Sequence, residues 1–243
     1  MPKTLIITGG SRGLGLGIAK RFHKKGFRVF SIARTQLKKC YEIEQIQCDI
    51  SDPTALKTAF DSIFSNINPQ TTESIILINN AGMLGDVDTI GNISLENIQQ
   101  TIHVNLTAPM QTSALFIKQT EHWKCRKNII NISSGAAHNA YGSWSMYCAS
   151  KAGLDMMAKV ISKEQKKREY PIKIANIYPG VVDTDMQAEV RATPPEKFKS
   201  SQRFIEFHLK GELLAPDDVA KIIYKLYKKK KLNGGKAIDV RKV

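Results

Sequence analysis

Short apolar runs alternate with longer amphipathic stretches along the whole chain. Seven runs rich in β-branched residues read as strands: 4–8, 28–33, 43–48, 74–79, 128–133, 172–178 and 236–239. Between them, 13–25, 52–65, 94–101, 106–123, 145–168 and 216–229 read as amphipathic helices. Strand alternating with helix predicts βαβ units, and so a doubly wound, mostly parallel sheet with helices on both faces, an α/β arrangement. The strands are almost continuously apolar, as required when both faces of a sheet are covered. Residues 182–214 break the rhythm, being polar and carrying Pro194-Pro195. Excursions of that length inside a compact domain are usually lids or binding segments, and short helices are expected within this one. Pro216-Asp217-Asp218 then reads as a helix start with acids in its first turn. No repeat, low-complexity tract or shift of composition marks a domain boundary.

Composition changes this picture little. At 243 residues, 42% hydrophobic and 24% charged, the chain is globular rather than disordered and long enough to bury a core without staples. No run reaches the ~18 apolar residues of a membrane span, and the opening MPKTLIITGG is too short an apolar run for an export signal. Cys40, Cys48, Cys125 and Cys148 form no CxxC and no metal spacing. Reduced thiols, a cytoplasmic location, no metal and no membrane partner are therefore expected. The net charge of +14 raises a nucleic-acid partner. Its densest runs, 166–168 and 228–231, fall where helices are predicted to end and complement their dipoles. A solvated basic surface with no nucleic-acid partner is the simpler reading, and such a surface also draws in anionic cofactors.

The first strand runs into TGGSRGLGLG, residues 8–17, and the first helix opens there. Gly9, Gly13 and Gly15 leave room for backbone to approach a phosphate, and the free N–H groups of the helix face it. The spacing is T-G-x-x-x-G-x-G and resembles that of the short-chain dehydrogenases/reductases. Further marks of that family follow in order: Asp49 in CDI, NNAG (79–82), Asn105 in HVNLTAP, NISSG (131–135), Tyr147 and Lys151 in SMYCASKAG, and YPGVVDT (178–184). They stand mostly at the C-terminal ends of predicted strands, where α/β sheets bind ligands. The resemblance covers essentially the whole chain. It implies a single Rossmann domain over 1–243, with a dinucleotide-binding half over about 1–104. A catalytic half over about 105–243 would carry a lid over about 185–211.

The resemblance also assigns roles. Gly9, Ser11, Arg12, Gly13, Leu14 and Gly15 would hold the cofactor phosphates. Asp49, Ile50, Asn80, Ala81, Gly82, Tyr147, Lys151, Pro179, Gly180, Val182 and Thr184 would complete the cofactor site. A dehydrogenase taking NAD usually has an acid at the end of the second strand, but here that strand ends in Ala33 and Arg34. A carboxylate would repel a 2′-phosphate, whereas a guanidinium clamps it with two hydrogen bonds. Arg12 is a second cation placed for the same phosphate, Ser11 could add a hydroxyl donor, and the expected cofactor is NADPH/NADP+.

Tyr147 and Lys151 lie one helical turn apart. A free tyrosine titrates near ~10 and is a poor base at pH 7, but a nearby cation favours its phenolate. Lys151 would supply that charge, with the oxidised nicotinamide ring as a second. The tyrosine would then give a proton to a carbonyl oxygen in reduction and take it back in oxidation. Lys151 would also bond the nicotinamide ribose. NISSG offers two serines; the family spacing to the tyrosine lands on Ser134 rather than Ser133, and its hydroxyl would hold the substrate carbonyl. Asn105 resembles the asparagine that breaks a helix and supports the lysine through water; helix capping is the alternative. Asn105, Ser134, Tyr147 and Lys151 are thus the expected catalytic set.

HVNLTAPM, GSWSMYCASKAG, YPGVVDTDMQ and NGGKAIDV narrow the resemblance to the sepiapterin reductase branch and, within it, to bacterial benzil reductases that form (S)-benzoin. This implies an NADPH-dependent carbonyl reductase acting on a small-molecule ketone or vicinal aryl diketone, with a homodimer or homotetramer assembled through the long central helices. A pterin or 3-oxoacyl thioester reductase is the alternative, and a non-catalytic NADP sensor another. Asp239 matches the aspartate that anchors the pterin in sepiapterin reductase, or else simply closes the last strand. Tyr141, Trp144 and Met186 offer flat and soft apolar surface for an aryl ketone, or else core packing. His138, near the same loop, reads as surface.

Overall fold

The computed structural model describes residues 1–36 and 42–243; Cys40 lies outside them. Its elements run β1 (Lys3–Thr8), α1 (Gly13–His23), β2 (Phe27–Ala33), β3 (Glu44–Gln47), α2 (Pro53–Ser65), β4 (Ser74–Asn79), α3 (Leu95–Ile102) and α4 (Ala108–Thr120). They continue with β5 (Arg126–Ile132), α5 (Ser145–Gln165), β6 (Lys173–Tyr178), α6 (Asp185–Ala192), α7 (Ser201–Leu209), α8 (Pro216–Lys228) and β7 (Ala237–Asp239). The strands form one seven-stranded sheet in the order β3-β2-β1-β4-β5-β6-β7. Every pairing is parallel. The order reverses between β1 and β4, which opens a crevice at their C-terminal ends, where α/β sheets take ligands.

The apolar strands serve two cores. Leu5 and Ile7 of β1 and Ile76 and Ile78 of β4 pack with Phe22 of α1 and Ile223 of α8 on one face. Their neighbours Ile6, Ile75 and Leu77 turn the other way, onto Phe60 of α2 and Phe116 of α4. All of these are essentially inaccessible to solvent, each contributing about 1.5–3 kcal/mol of apolar burial. Local signals set the helix starts. Asp52 caps α2 through the N–H groups of Thr54 and Ala55, with Pro53 in the first turn. In α8, Asp217 and Asp218 sit in the first turn and Lys225 and Lys228 in the last, matching the dipole at both ends.

Between α3 and α4 the chain does not break. Residues His103–Thr107 form one wide π-helical turn that carries the helix through. The excursion 182–214 contains α6 and α7, and its two ends are zipped together: Leu214 donates its N–H to Val181 O (2.9 Å) and accepts from Asp183 N (3.0 Å). Among the described residues no helix is long and apolar enough to cross a membrane.

Candidate active site

The glycine turn closes tightly on the end of β4. Gly9 has a left-handed backbone (φ +68°), and a methyl group on Gly15 would lie 2.1 Å from Gly9 O and 2.4 Å from Asn80 Nδ2. Asn80 builds this cradle: its Nδ2 donates to Thr8 O and to Gly9 O, both at 3.1 Å. Thr8 Oγ1 accepts in turn from the N–H groups of Asn80 and Ala81. Helix α1 has no side-chain cap at its start, so its first N–H groups stay free for an anion. A cradle that side chains would fill and an uncapped helix fit the pyrophosphate of a dinucleotide. Leu14, Ile50 and Val182 bury their side chains in the two cores.

The flanking cations are arranged less simply than the sequence implies. Arg34 follows the last residue of β2 and is exposed. Arg12 instead reaches across to the start of α6, where its Nη1 lies 3.2 Å from Asp185 Oδ2, both side chains largely in solvent. Thr184 sits beside it, its Cγ2 3.3 Å from where a Cβ on Gly13 would be. Asp49 is held by Ser51 through N–H (2.9 Å) and Oγ (2.7 Å). These bonds keep its carboxyl below the usual range, with Arg34 adding to the effect.

The expected catalytic residues converge at the C-terminal ends of β4 and β5. Lys151, on α5, is buried and donates from Nζ to Ile132 O at 2.9 Å. The same Nζ lies 5.6 Å from the ring centre of Tyr147, one turn earlier. Ser134 follows β5, accepts from Ala136 N–H (3.2 Å), and its hydroxyl acts on the Tyr147 phenol, favouring the phenolate. Ser133 is buried with its hydroxyl unpaired, and it is Ser134 that meets the tyrosine. Asn105 sits in the π turn, buried, and grips the chain after β4: its Oδ1 accepts from Met83 N–H (2.9 Å) and its Nδ2 donates to Met83 O (2.8 Å). A Cβ on Gly82 would be 3.3 Å from Asn105 Oδ1 and 3.7 Å from Lys151 Nζ. That short loop therefore joins the cradle to the catalytic cluster.

Burial pushes the Tyr147 phenol up, against the pull of its bond to Ser134. Desolvation lowers Lys151 from 10.5 to about 8, with the charge of Asp155 opposing. The phenol is thus held protonated at neutral pH, the form that donates.

A family model described as short chain dehydrogenase matches residues 3–195. The chain belongs to the short-chain dehydrogenase family. It is 40% identical to a benzil reductase ((S)-benzoin forming) of Bacillus cereus, over 97% of this chain and 98% of that one. It is 27% identical to the sepiapterin reductase of Bos taurus, over 96% and 92% of the two chains. Among solved structures, that of the KRED1-Pglu enzyme superposes with a TM-score of 0.85 at 26% identity, covering 97% of this chain and all of that one. The short-chain dehydrogenase is therefore an oxidoreductase acting on CH–OH/C=O groups with a nicotinamide cofactor.

The short-chain dehydrogenase packs an aromatic cluster against Tyr147. Trp144 lies edge-on to Tyr147 (5.5 Å between ring centres) and is stacked on Phe198 at 4.5 Å. Phe204, Val190, Tyr141 and Met186 complete the cluster. Trp144 is buried, and one face of its ring is taken by Phe198 rather than left open to a ligand. Phe198 and Phe204 were not singled out in the sequence; only their spacing in a polar segment hinted that they fold inward. Asp239 is likewise engaged. Its Oδ1 accepts from Arg241 N–H (3.0 Å) and Nε (2.9 Å), and its Oδ2 from Nη2 (2.6 Å). This clamp keeps the carboxyl low. His138, read as surface, is exposed, and its Nε2 lies 3.5 Å from the buried Asp155.

Proposed function

We propose that this protein is an NADPH-dependent carbonyl reductase that converts a ketone or vicinal aryl diketone such as benzil to the hydroxy ketone. The observation that carries the reading is the junction of Tyr147, Ser134, Lys151 and Asn105 beside an uncapped helix and a glycine cradle. The 40% identity to a benzil reductase supports the substrate class. When bound, the dinucleotide supplies the hydride. Ser134 Oγ holds the carbonyl oxygen, Tyr147 passes it the phenolic proton, and Lys151 stabilises the phenolate left behind. Asn105 fixes the loop at Met83 and Gly82 against the lysine. The absence of an acid at Ala33–Arg34 supports NADPH over NADH.

The segment 185–211 serves as the lid, its aromatic residues packed on Trp144. The protein works as a cytoplasmic homodimer or homotetramer on a small molecule, without nucleic acid or membrane. The engagement of Asp239 by Arg241 disfavours a pterin substrate. The test is loss of NADPH absorbance, with NADH in parallel, against benzil, 1-phenyl-1,2-propanedione, sepiapterin and an acetoacetyl thioester. Rapid oxidation of NADPH with the aryl diketones is expected. Silence across the panel, in protein that binds NADPH, overturns the reading in favour of a sensor.

A further inference from the structure

Asp155 is a buried carboxylate that the reaction above does not use. It lies on α5 one turn beyond Lys151, and it is tied to two other segments that carry the site. Its Oδ2 accepts from the hydroxyl of Tyr178, at the end of β6 immediately before Pro179 and Gly180. The same oxygen lies 3.5 Å from Nε2 of His138, just after the Ser134 turn. Its Oδ1 accepts from Asn176 Nδ2 at 2.9 Å.

Behind Asn176 stands a ladder of amides across the sheet. Asn79, Asn131 and Asn176 are register partners on β4, β5 and β6. Thr112 Oγ1 donates to Asn79 Oδ1 (2.7 Å), Asn79 Nδ2 to Asn131 Oδ1 (2.9 Å), and Asn131 Nδ2 to Asn176 Oδ1 (2.9 Å). A carboxylate only accepts, so Asn176 must donate to Asp155, and that choice orients every amide behind it. Three buried amide dipoles therefore point their positive ends at one carboxylate. The charged and titratable groups facing Asp155 are Lys151 on its own helix, His138 after β5 and Tyr178 on β6. Asp239, clamped by Arg241, acts on Tyr178 from β7.

We propose that Asp155 is a positioning residue for carbonyl reduction: its carboxylate joins the Ser134 turn and the end of β6 to α5 and supplies the counter-charge that keeps buried Lys151 cationic. The proposal rests on the reading of Tyr147 and Lys151 as the reacting pair. The direction of its influence is plain, since Asp155 is the charge that raises Lys151 against desolvation.

The experiment compares Asp155→Asn and Asp155→Glu with wild type in pH–rate profiles, and titrates Lys151 directly through its ¹³Cε resonance. Asp155→Asn keeps the shape and loses the charge. It is expected to lower kcat at least ~10-fold, to leave the KM for NADPH within about twofold, and to move the alkaline limb and the Lys151 titration to lower pH by about one unit. Asp155→Glu keeps the charge, so its alkaline limb stays at the wild-type position even where kcat falls. A variant that only loses thermal stability, with limb and titration unmoved, overturns the proposal. So does a Glu variant whose limb moves as far as the Asn variant's. If Asp155→Asn does not fold, Asp155→Ser, which also removes the charge, takes its place under the same criteria. If the wild type reduces no ketone, the functional reading fails separately, and the Lys151 titration in the two variants still tests the counter-charge.

Discussion

At the scale of single residues, the chemistry depends on the dryness of the Tyr147–Lys151 site as much as on its charge. Tyr147→Phe removes one hydroxyl and little shape. Turnover is expected to fall by about 10²–10⁴-fold with NADPH binding retained, read by steady-state rates beside fluorescence titration of the cofactor. The depressed value of Lys151, about 8 against an ordinary 10.5, has a consequence for stability with a definite sign. Between those values the unfolded chain holds the proton and the folded chain does not, so stability rises with pH across the window. The full gain is about 3 kcal/mol. It should appear in urea unfolding from pH 8 to 10 as wild type gaining on Lys151→Met. Arg12 and Arg34 are expected to read the 2′-phosphate, Arg12 by leaving its solvent-exposed pair with Asp185, a pair worth at most ~1 kcal/mol. The double change to Ala should raise the Kd for NADPH at least ~10-fold more than that for NADH; equal losses would place the phosphate contact elsewhere. Tyr147, Lys151 and Asn105 were legible because fixed spacings on one helix or beside one strand carry them. Asp155 was not, since its partners come from β6 and the turn after Ser134, and only the folded sheet brings them together.

Elements were legible to within a few residues wherever burial alone dictates them. The seven runs became seven strands, most of them because strands covered on both faces are nearly continuously apolar; the edge strand β3, Glu-Gln-Ile-Gln, is half exposed. The stretch from 94 to 123 read as two helices with a gap, whereas the chain passes through a π turn that seats Asn105. A single extra residue per turn leaves almost no trace in hydrophobic spacing. The segment 182–214 was the least legible. Its helices α6 and α7 are polar on most sides and are held by a few aromatic anchors rather than a continuous apolar face. Those anchors imply a local unit of stability. Phe198 is almost completely buried against Trp144, and Phe198→Ala should cost about 3–5 kcal/mol if the segment and the sheet unfold together. The zipped ends at Val181–Asp183 and Leu214 predict otherwise. The variant should be cut by trypsin within 185–211 many-fold faster than wild type, while its global urea midpoint moves little. A large midpoint shift with unchanged proteolysis would mean that the segment folds with the core.

For the whole molecule, two features oppose each other. The net charge of +14 makes copies repel, yet the long helices leave apolar side chains in solvent. Met110 on α4 is 45% exposed, and Met156 and Val160, one turn apart on α5, are 58% and 45% exposed. If assembly proceeds through these helices, the attraction is apolar and short-ranged while the repulsion is electrostatic and screened. The Debye length falls from ~10 Å at 0.1 M salt to ~3 Å at 1 M, so added salt should remove repulsion and leave the apolar contact intact. Light scattering after size exclusion is expected to show a dimer or tetramer that tightens between 0.05 and ~0.5 M salt. Met156→Glu with Val160→Glu should give a monomer across that range, because each carboxylate would have to be desolvated in the contact. Binding to a polyanion has the opposite sign, weakening steeply as salt rises. One salt series therefore separates the two fates of this basic surface. Assembly that strengthens with salt, and is abolished by the two glutamates, places the interface on α5. Assembly that weakens with salt, indifferent to them, would show copies held together through charge and move the interface off the central helices.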